Sequence, residues 1–298
     1  MGWKAYRLVY RAKSPIHIGW HTLGYIRLTR YYIPGKNMWA SFTDNLARAD
    51  KNIKDIKDDI SEIYQKYSKE LLNKSIFISY FYPALDPDIP LLPRYTDEGL
   101  KYGNCSAAGF ERLFIKSYGQ TAVLPESNTA EDESLHESEF IAPVVEDENT
   151  KEQMPVYFVG YIFVKDESES QWETIKESVK EIFVGGDRKY GWGRLKLIEE
   201  YTRPENISFF GYTMSLDTEN GNPKITIPYN KPIPAHIPID SNIKLKGDIE
   251  PLVGREWGSK GAGQEIKLRD EKIYWMPGSL LQLQLGKPLQ IGPYGILK

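Results

Sequence analysis

The chain has 298 residues, 41% hydrophobic and 27% charged, which is enough to bury a substantial core in one large or two smaller domains. No apolar run approaches the length of a membrane span, and the amino terminus lacks the apolar stretch of a signal peptide, so we expect a cytoplasmic protein without a membrane partner. The single Cys105 excludes an intramolecular disulfide and a cysteine-based zinc cluster, and it is typical of a reducing compartment.

The net charge of −3 is unevenly distributed along the chain. Residues 126–152 hold ten carboxylates and one lysine, a charge of −9, so the remainder of the chain carries +6. A moderately basic body attracts the phosphates of a nucleic acid whatever its base sequence. The acidic stretch has few large apolar residues, and we therefore expect it to be disordered or to form a mobile loop.

The first predicted elements in chain order are a strand and two helices. Residues 3–12 alternate polar with apolar side chains, which predicts a strand with one apolar face. After a loop over residues 14–32, Pro34 and Gly35 open a helix. Apolar residues spaced by three and four between Ile53 and Leu71 predict a second helix.

The remaining elements complete an α+β pattern. Residues 76–82 and 156–164 predict two strands on either side of an insertion at about 86–153. A helix with one apolar face is predicted from Trp172 to Phe183, and a final strand begins near Leu195. The order strand, helix, strand, strand, helix, strand predicts a ferredoxin-like (RRM-like) core over residues 1–205. Frequent prolines and glycines predict a β-rich carboxy-terminal lobe over residues 206–298.

The segment from Gly185 to Arg194, called the glycine-rich loop below, has the residue types of a nucleic-acid contact. Its glycines, Gly185, Gly186, Gly191 and Gly193, permit positive φ angles and close backbone approach. Its cations, Arg188, Lys189 and Arg194, suit phosphates, and its aromatic rings, Tyr190 and Trp192, suit base stacking. The alternative is a structural turn that packs a helix against the last strand.

Other glycine-rich sites fit this loop poorly. It lacks the Gly-Lys-Ser or Gly-Lys-Thr ending of a phosphate loop, and it follows a predicted helix rather than a strand, which disfavours a dinucleotide site. Arg188 stands where a metal-binding hairpin would carry a second carboxylate after Asp187. We therefore expect no metal and no cofactor.

The glycine-rich loop resembles the signature loop of the repeat-associated (RAMP) superfamily, the subunits that hold guide RNA in CRISPR defence complexes. Two further segments resemble that superfamily: residues 14–19 after the first strand, and residues 32–37, where a proline-glycine turn opens the first helix. The resemblance covers roughly residues 1–200. Residues 254–257 and 275–279 are similar to segments of larger subunits from type III effector complexes.

The resemblance implies a ferredoxin-like protein that binds CRISPR guide RNA as a structural subunit of a type III antiviral effector ribonucleoprotein, with CRISPR RNA and other effector subunits as its partners. Besides the glycine-rich loop, we expect Lys36 and Asn37 to contact RNA, because unpaired amides at a helix amino terminus attract phosphate. Arg27 and Arg30 are expected to add charge beside them. The tyrosines Tyr25, Tyr31 and Tyr32 are expected to add stacking faces there, and ordinary packing is the alternative for each of them.

The resemblance also bears on catalysis. Type III relatives that cleave target RNA carry an aspartate in the loop after the first strand, and residues 14–32 contain no acidic residue, so that activity is not expected. Guide-processing relatives use histidine with lysine or tyrosine, and His17 and His21 therefore keep a metal-independent endoribonuclease open as an alternative. A third hypothesis is a protein–protein scaffold whose acidic insertion docks on a basic neighbouring subunit.

Overall fold

The computed structural model describes residues 2–49, 60–70, 75–147, 150–202, 208–216, 221–239, 243–258, 261–283 and 285–298. It is a mixed α+β structure, as the sequence predicts. In these described ranges, none of the helices has both the length and the apolar character that crossing a membrane requires.

The amino-terminal part begins with a strand and a hairpin and continues through two helices. Its elements are β1 (Trp3–Ala12), β2 (Gly19–Leu23), β3 (Ile26–Thr29), α1 (Gly35–Ala49), α2 (Ile60–Glu70), β4 (Ile76–Ile78) and β5 (Tyr82–Ala84). The helix predicted at the proline-glycine turn is confirmed. The loop predicted over residues 14–32 contains the hairpin β2–β3, and the predicted start of the second helix, at Ile53, lies outside the described residues.

The insertion is folded around short strands and one helix. Its elements are β6 (Pro93–Thr96), β7 (Gly99–Tyr102), β8 (Cys105–Ser106), α3 (Ala107–Phe114), β9 (Ile115–Gln120), β10 (His136–Ile141), β11 (Val144–Glu146) and β12 (Gln153–Pro155). Strand β10 lies in the acidic stretch, yet it pairs with β9 and β3 and buries Ser138 and Ile141. The prediction of disorder is therefore wrong for this strand, because partners outside the acidic stretch supply the pairing that its own residues lack.

The chain then returns to the core through β13 (Tyr157–Lys165), α4 (Glu169–Ile175), a 3₁₀ turn (Lys176–Val179), β14 (Glu181–Phe183) and β15 (Arg194–Thr202). The helix predicted through Phe183 ends earlier, and Ile182 and Phe183 pair with β15. Their spacing matched a helix only because the buried side of a short strand continued the apolar pattern. The glycine-rich loop consequently joins two antiparallel strands rather than a helix and a strand.

The carboxy-terminal elements are short strands and one long hairpin, in agreement with the predicted β-rich lobe: β16 (Ser208–Phe209), β17 (Tyr212–Ser215), β18 (Lys224–Thr226), β19 (Ile237–Pro238), β20 (Leu245–Lys246), β21 (Ile249–Gly258), β22 (Gly261–Trp275), β23 (Leu280–Leu281) and β24 (Leu289–Gln290). Strands β21 and β22 form the hairpin.

The central sheet has the strand order β14, β15, β1, β13, β4, with β5 also paired to β13, and the pairings are antiparallel. On one face of β1, Tyr6, Leu8 and Tyr10 pack with the helical residues Met38, Phe42 and Trp172. On the opposite face, Trp3 and Ala5 pack with the carboxy-terminal residues Phe209, Ile225 and Leu289. The expectation of a single apolar face on β1 is therefore wrong, because the carboxy-terminal strands cover the second face.

Candidate nucleic-acid interface

The glycine-rich loop is a tight connection packed against the segment that follows β1. Gly185 has a φ of +79°, and a Cβ there would lie 2.1 Å from the His17 carbonyl oxygen. Gly193 has a φ of +87°, and a Cβ there would lie 2.2 Å from the Val184 carbonyl oxygen. The amides of Gly186 and Gly193 donate to the carbonyls of His17 and Pro15, at 2.9 and 2.7 Å. These glycines are therefore required for backbone packing.

The loop's side chains divide into paired and projecting groups. Arg188 donates to Asp44 at 2.9 Å, and Arg194 donates to Glu181 at 2.7 Å. Trp192 is buried and packs edge-on against Phe140, so it offers no open face for a base. Lys189 and Tyr190 lie in a 3₁₀ turn that ends at Gly191 (φ +79°), and both are exposed. Among the loop's cations and aromatic rings, these two therefore project to solvent, whereas Arg188 and Arg194 form ion pairs and Trp192 is buried.

Arg30 does not present its charge to solvent. It lies just after β3, and its Nη1 and Nη2 atoms donate to the two carboxylate oxygens of Glu250 at 2.6 and 2.8 Å. Glu250 also bonds with His236 at 2.6 Å and with Trp20 at 3.0 Å. Arg30 therefore joins the β2–β3 region to β21, which corrects the expectation that it serves RNA. Arg27, three residues earlier on β3, is exposed.

The amino terminus of α1 is covered by other backbone. A Cβ on Gly35 would lie 2.4 Å from both the Ile78 and the Tyr294 carbonyl oxygens, and the Asn37 amide already donates to the Pro34 carbonyl at 2.9 Å. At the expected phosphate site, the Asn37 amide is thus already paired and the backbone at Gly35 is covered. Lys36 itself extends toward β21, where its Nζ lies beside Gly254.

The two candidate catalytic histidines have different surroundings. His17 is buried beneath the glycine-rich loop, and its Nδ1 lies 2.6 Å from the Glu139 carbonyl oxygen. His21 is exposed on β2, and its ring lies 4.5 Å from that of Trp20. Within the described ranges, no three His, Cys, Asp or Glu side chains are grouped so that they could hold a metal ion.

Sequence reasoning named Arg194 but missed the three cations that lie beside it on the sheet, Arg11, Lys13 and Lys196. We call these four residues the cationic strip. Arg11 and Lys196 are direct partners across β1 and β15, and the Lys13 amide donates to the Arg194 carbonyl at 2.9 Å. Desolvation and the charges of Arg11, Lys196 and Arg194 lower the pKa of Lys13. Arg11 Nε is buried without a hydrogen-bond partner in the described part of the chain.

An aromatic ring continues this row of side chains. Tyr157 on β13 is the partner of Arg11 on the side away from Lys196, and direct cross-strand partners share one face of a sheet. Tyr157 is half-buried against Val9 and Val159. Two cations and one ring thus lie in a row across three strands. Alternation in the sequence indicates each strand's faces, but only the pairing register brings these residues together.

The fold has counterparts among solved structures. No family model and no curated protein matches the chain. One similar chain belongs to the cryo-EM structure of the type III-B Cmr-beta complex bound to cognate target RNA, with 12% identity, a TM-score of 0.50, and coverage of 92% of this chain and 86% of that one. Another comes from the complex bound to cognate target RNA and AMPPnP, with 10% identity, a TM-score of 0.51, and coverage of 93% and 85%. At such identities the similarity establishes a shared fold.

Proposed function

We propose that the chain binds single-stranded guide RNA as a structural subunit of a type III CRISPR effector ribonucleoprotein, without catalysis of its own. The cationic strip carries the proposal. Arg11 and Lys196 face each other directly, and like charges in that position destabilise a sheet. Glu181, the cross-strand partner of Lys196, bonds with Arg194, so the strip together with Glu181 keeps a charge of +3. A polyanion over the strip relieves that repulsion.

The neighbouring rings favour a single strand over a duplex. Tyr157 lies in the same row as the cations, and Tyr190 projects from the adjacent glycine-rich loop with 62% of its surface exposed. Proteins that bind single strands combine a basic track with aromatic rings on which unpaired bases stack. The fold likeness to chains of an RNA-bound type III-B complex supports the assignment of CRISPR RNA and other effector subunits as partners.

The salt dependence of binding tests the assignment. Removing three exposed lysines near the proposed site, by Lys13→Ala, Lys189→Ala and Lys196→Ala together, should lower the slope of log affinity against log salt by about 2, because each single-strand phosphate contact contributes about 0.7. Fluorescence anisotropy with a labelled 20-nucleotide RNA measures it.

The matched control removes three exposed lysines elsewhere, Lys151, Lys246 and Lys287, and therefore makes the same change in net charge. Its slope should stay close to that of the wild type. Equal slopes for the two triple variants would show that RNA binds away from the cationic strip, and the absence of RNA affinity in the wild type would favour the scaffold hypothesis.

A labelled repeat RNA distinguishes RNA binding from RNA processing. We expect repeat RNA to remain intact through a time course at neutral pH, because His17 is buried and hydrogen-bonded to backbone. His21 is accessible, so His21→Ala is the informative variant. General-base catalysis contributes about 10²- to 10⁴-fold, which is easily seen over background. Specific cleavage by the wild type that disappears in His21→Ala, with binding retained, would establish the endoribonuclease instead.

A further inference from the structure

A cleft of about 320 Å³ opens over the central sheet, next to the carboxy-terminal strands. Arg7 and Tyr161 form its floor, Asp88 and Leu92 come from the insertion, and Phe210 comes from the β16–β17 turn. Arg7 and Tyr161 are direct partners on β1 and β13. Arg11 and Tyr157 lie on the same face of the sheet, four residues away on each strand, which is about 13 Å at 3.3 Å per residue. The cleft is thus a few nucleotides from the cationic strip.

The carboxylate of Asp88 is held in place at the rim of the cleft. Arg7 is buried and donates from one nitrogen both to the Pro87 carbonyl and, at 3.2 Å, to Asp88 Oδ1. The Asp88 amide donates to the Asp86 carboxylate at 2.9 Å, which closes a local turn. The Asp88 side chain nevertheless remains 81% exposed. A carboxylate accepts about four hydrogen bonds, so Asp88 keeps acceptor capacity for a ligand.

Phe210 forms the opposite wall in a conformation that phenylalanine rarely adopts. Its φ is +51° and that of Gly211 is +89°, and the two residues form the turn between the paired residues Phe209 and Tyr212. Such a turn favours Asn-Gly, and a bulky residue at positive φ is strained by about 1–3 kcal/mol. The ring packs edge-on against Tyr161, with centroids 5.0 Å apart. The strained position thus places an aromatic wall beside the cleft.

We propose that this cleft binds one unstacked guanine base of the same RNA strand, an inference that rests on the proposed function. Aromatic walls suit a planar base, while a carboxylate at the rim disfavours a phosphate. Guanine is the base whose Watson–Crick edge offers two adjacent donors, the ring N–H and the exocyclic amino group, and a carboxylate accepts both. Arg7 acts as a positioning residue that orients Asp88.

Base substitution in a short RNA tests this inference. Oligouridines carrying a single central guanine should bind about tenfold more tightly than those carrying inosine, which lacks the exocyclic amino group, because one hydrogen bond to a charged acceptor is lost. Adenine, whose ring N1 is an acceptor and which has no amino group at the position of the guanine 2-amino group, cannot present this pair of donors and should bind no better than inosine. Fluorescence anisotropy at one fixed salt concentration measures all three.

Two variants and a control assign the residues. Asp88→Asn should abolish the preference for guanine over inosine, whereas Asp97→Asn, at a fully exposed aspartate of the same insertion, should preserve it. Phe210→Asn suits the positive-φ turn, so the melting temperature should be retained while guanine-oligonucleotide affinity falls several-fold. A melting temperature that falls with the affinity would assign Phe210 to packing, and the Asp88 comparison would then decide the proposal alone.

The outcomes separate the two proposals. If none of the oligonucleotides binds, the proposed function itself fails. If guanine, inosine and adenine oligonucleotides bind equally and remain sensitive to the cationic-strip lysines, RNA binding stands and the guanine cleft is refuted. A guanine preference that survives Asp88→Asn would also overturn the assignment.

Discussion

Glu250→Ala should destabilise the protein severely, because this carboxylate is the centre of a buried polar network. Glu250 accepts two hydrogen bonds from Arg30 and one each from His236 and Trp20, at 2.6 to 3.0 Å. The Arg30 side chain is only 11% exposed, so the substitution leaves a buried guanidinium without its counter-ion. Breaking a buried ion pair on one side typically costs about 3–5 kcal/mol, and we expect a loss in that range.

Urea unfolding at pH 7, followed by tryptophan fluorescence, measures the loss. Glu98→Ala is the matched control, because Glu98 forms an exposed ion pair with Lys101 at 2.6 Å and its removal should leave the unfolding midpoint unchanged. Glu250→Gln should fall between the two, since the amide keeps the shape but loses the charge. A loss below about 1 kcal/mol in Glu250→Ala would refute the view that this network joins the β2–β3 region to β21.

The remaining predictions concern pH, the loop glycines and the loop aromatic rings. Burial alone would raise the pKa of Glu250, but hydrogen bonds from His236 and Arg30 outweigh it and lower the pKa to about 2. Burial also lowers the pKa of His236. As the pH falls, each group is protonated in the unfolded chain before it is protonated in the folded protein, so both groups stabilise the folded state at neutral pH. We expect stability to begin falling below about pH 6.5 because of His236, and to lose about 3 kcal/mol more between about pH 4.5 and pH 2 because of Glu250. Urea unfolding midpoints measured across this pH range check the prediction. Gly193→Ala should lower the melting temperature far more than Gly191→Ala, because both have positive φ but only Gly193 faces a backbone oxygen, at 2.2 Å from an added Cβ; equal losses would contradict the packing role of Gly193. Trp192→Phe should leave RNA affinity within about twofold, whereas Tyr190→Ala should weaken it several-fold, since base stacking contributes about 1–3 kcal/mol per ring; anisotropy compares them.

The sequence predicts the core elements well where the pattern is local. The alternation in β1 and β15, the proline-glycine entry to α1 and the strand β13 all appear at the expected places. The single strand predicted over residues 76–82 is instead two short strands, β4 and β5. The error at Ile182 and Phe183 arose because a short buried strand following a helix continues its apolar spacing. The strand in the acidic stretch was missed because its pairing with β3 joins residues more than 100 positions apart.

The candidate site was harder to predict, because it depends on contacts between residues that are far apart in the sequence. Composition predicts the glycine-rich loop as a candidate site, but the pairing of Arg188 with Asp44 and of Arg30 with Glu250 joins residues 144 and 220 positions apart. The cationic strip depends in the same way on the register of β1 with β15. Residue types therefore indicate a candidate region, whereas the three-dimensional pairing determines which of its charges form ion pairs within the chain.

The central position of β1 in the sheet has a consequence for synthesis. The two neighbours of β1 in the sheet are β13, whose Lys165 pairs with Trp3, and β15, whose Thr202 pairs with Tyr6. Both neighbours therefore emerge from the ribosome long after β1 does. At about 5–20 residues per second, both edges of the nascent strand stay unpaired for roughly 8–30 s, until β13 has been synthesised. Contacts of such sequence separation form slowly, and an unpaired apolar strand is prone to association with other chains. Emergence of β15 from the ribosome is therefore the step at which both edges of β1 can become paired.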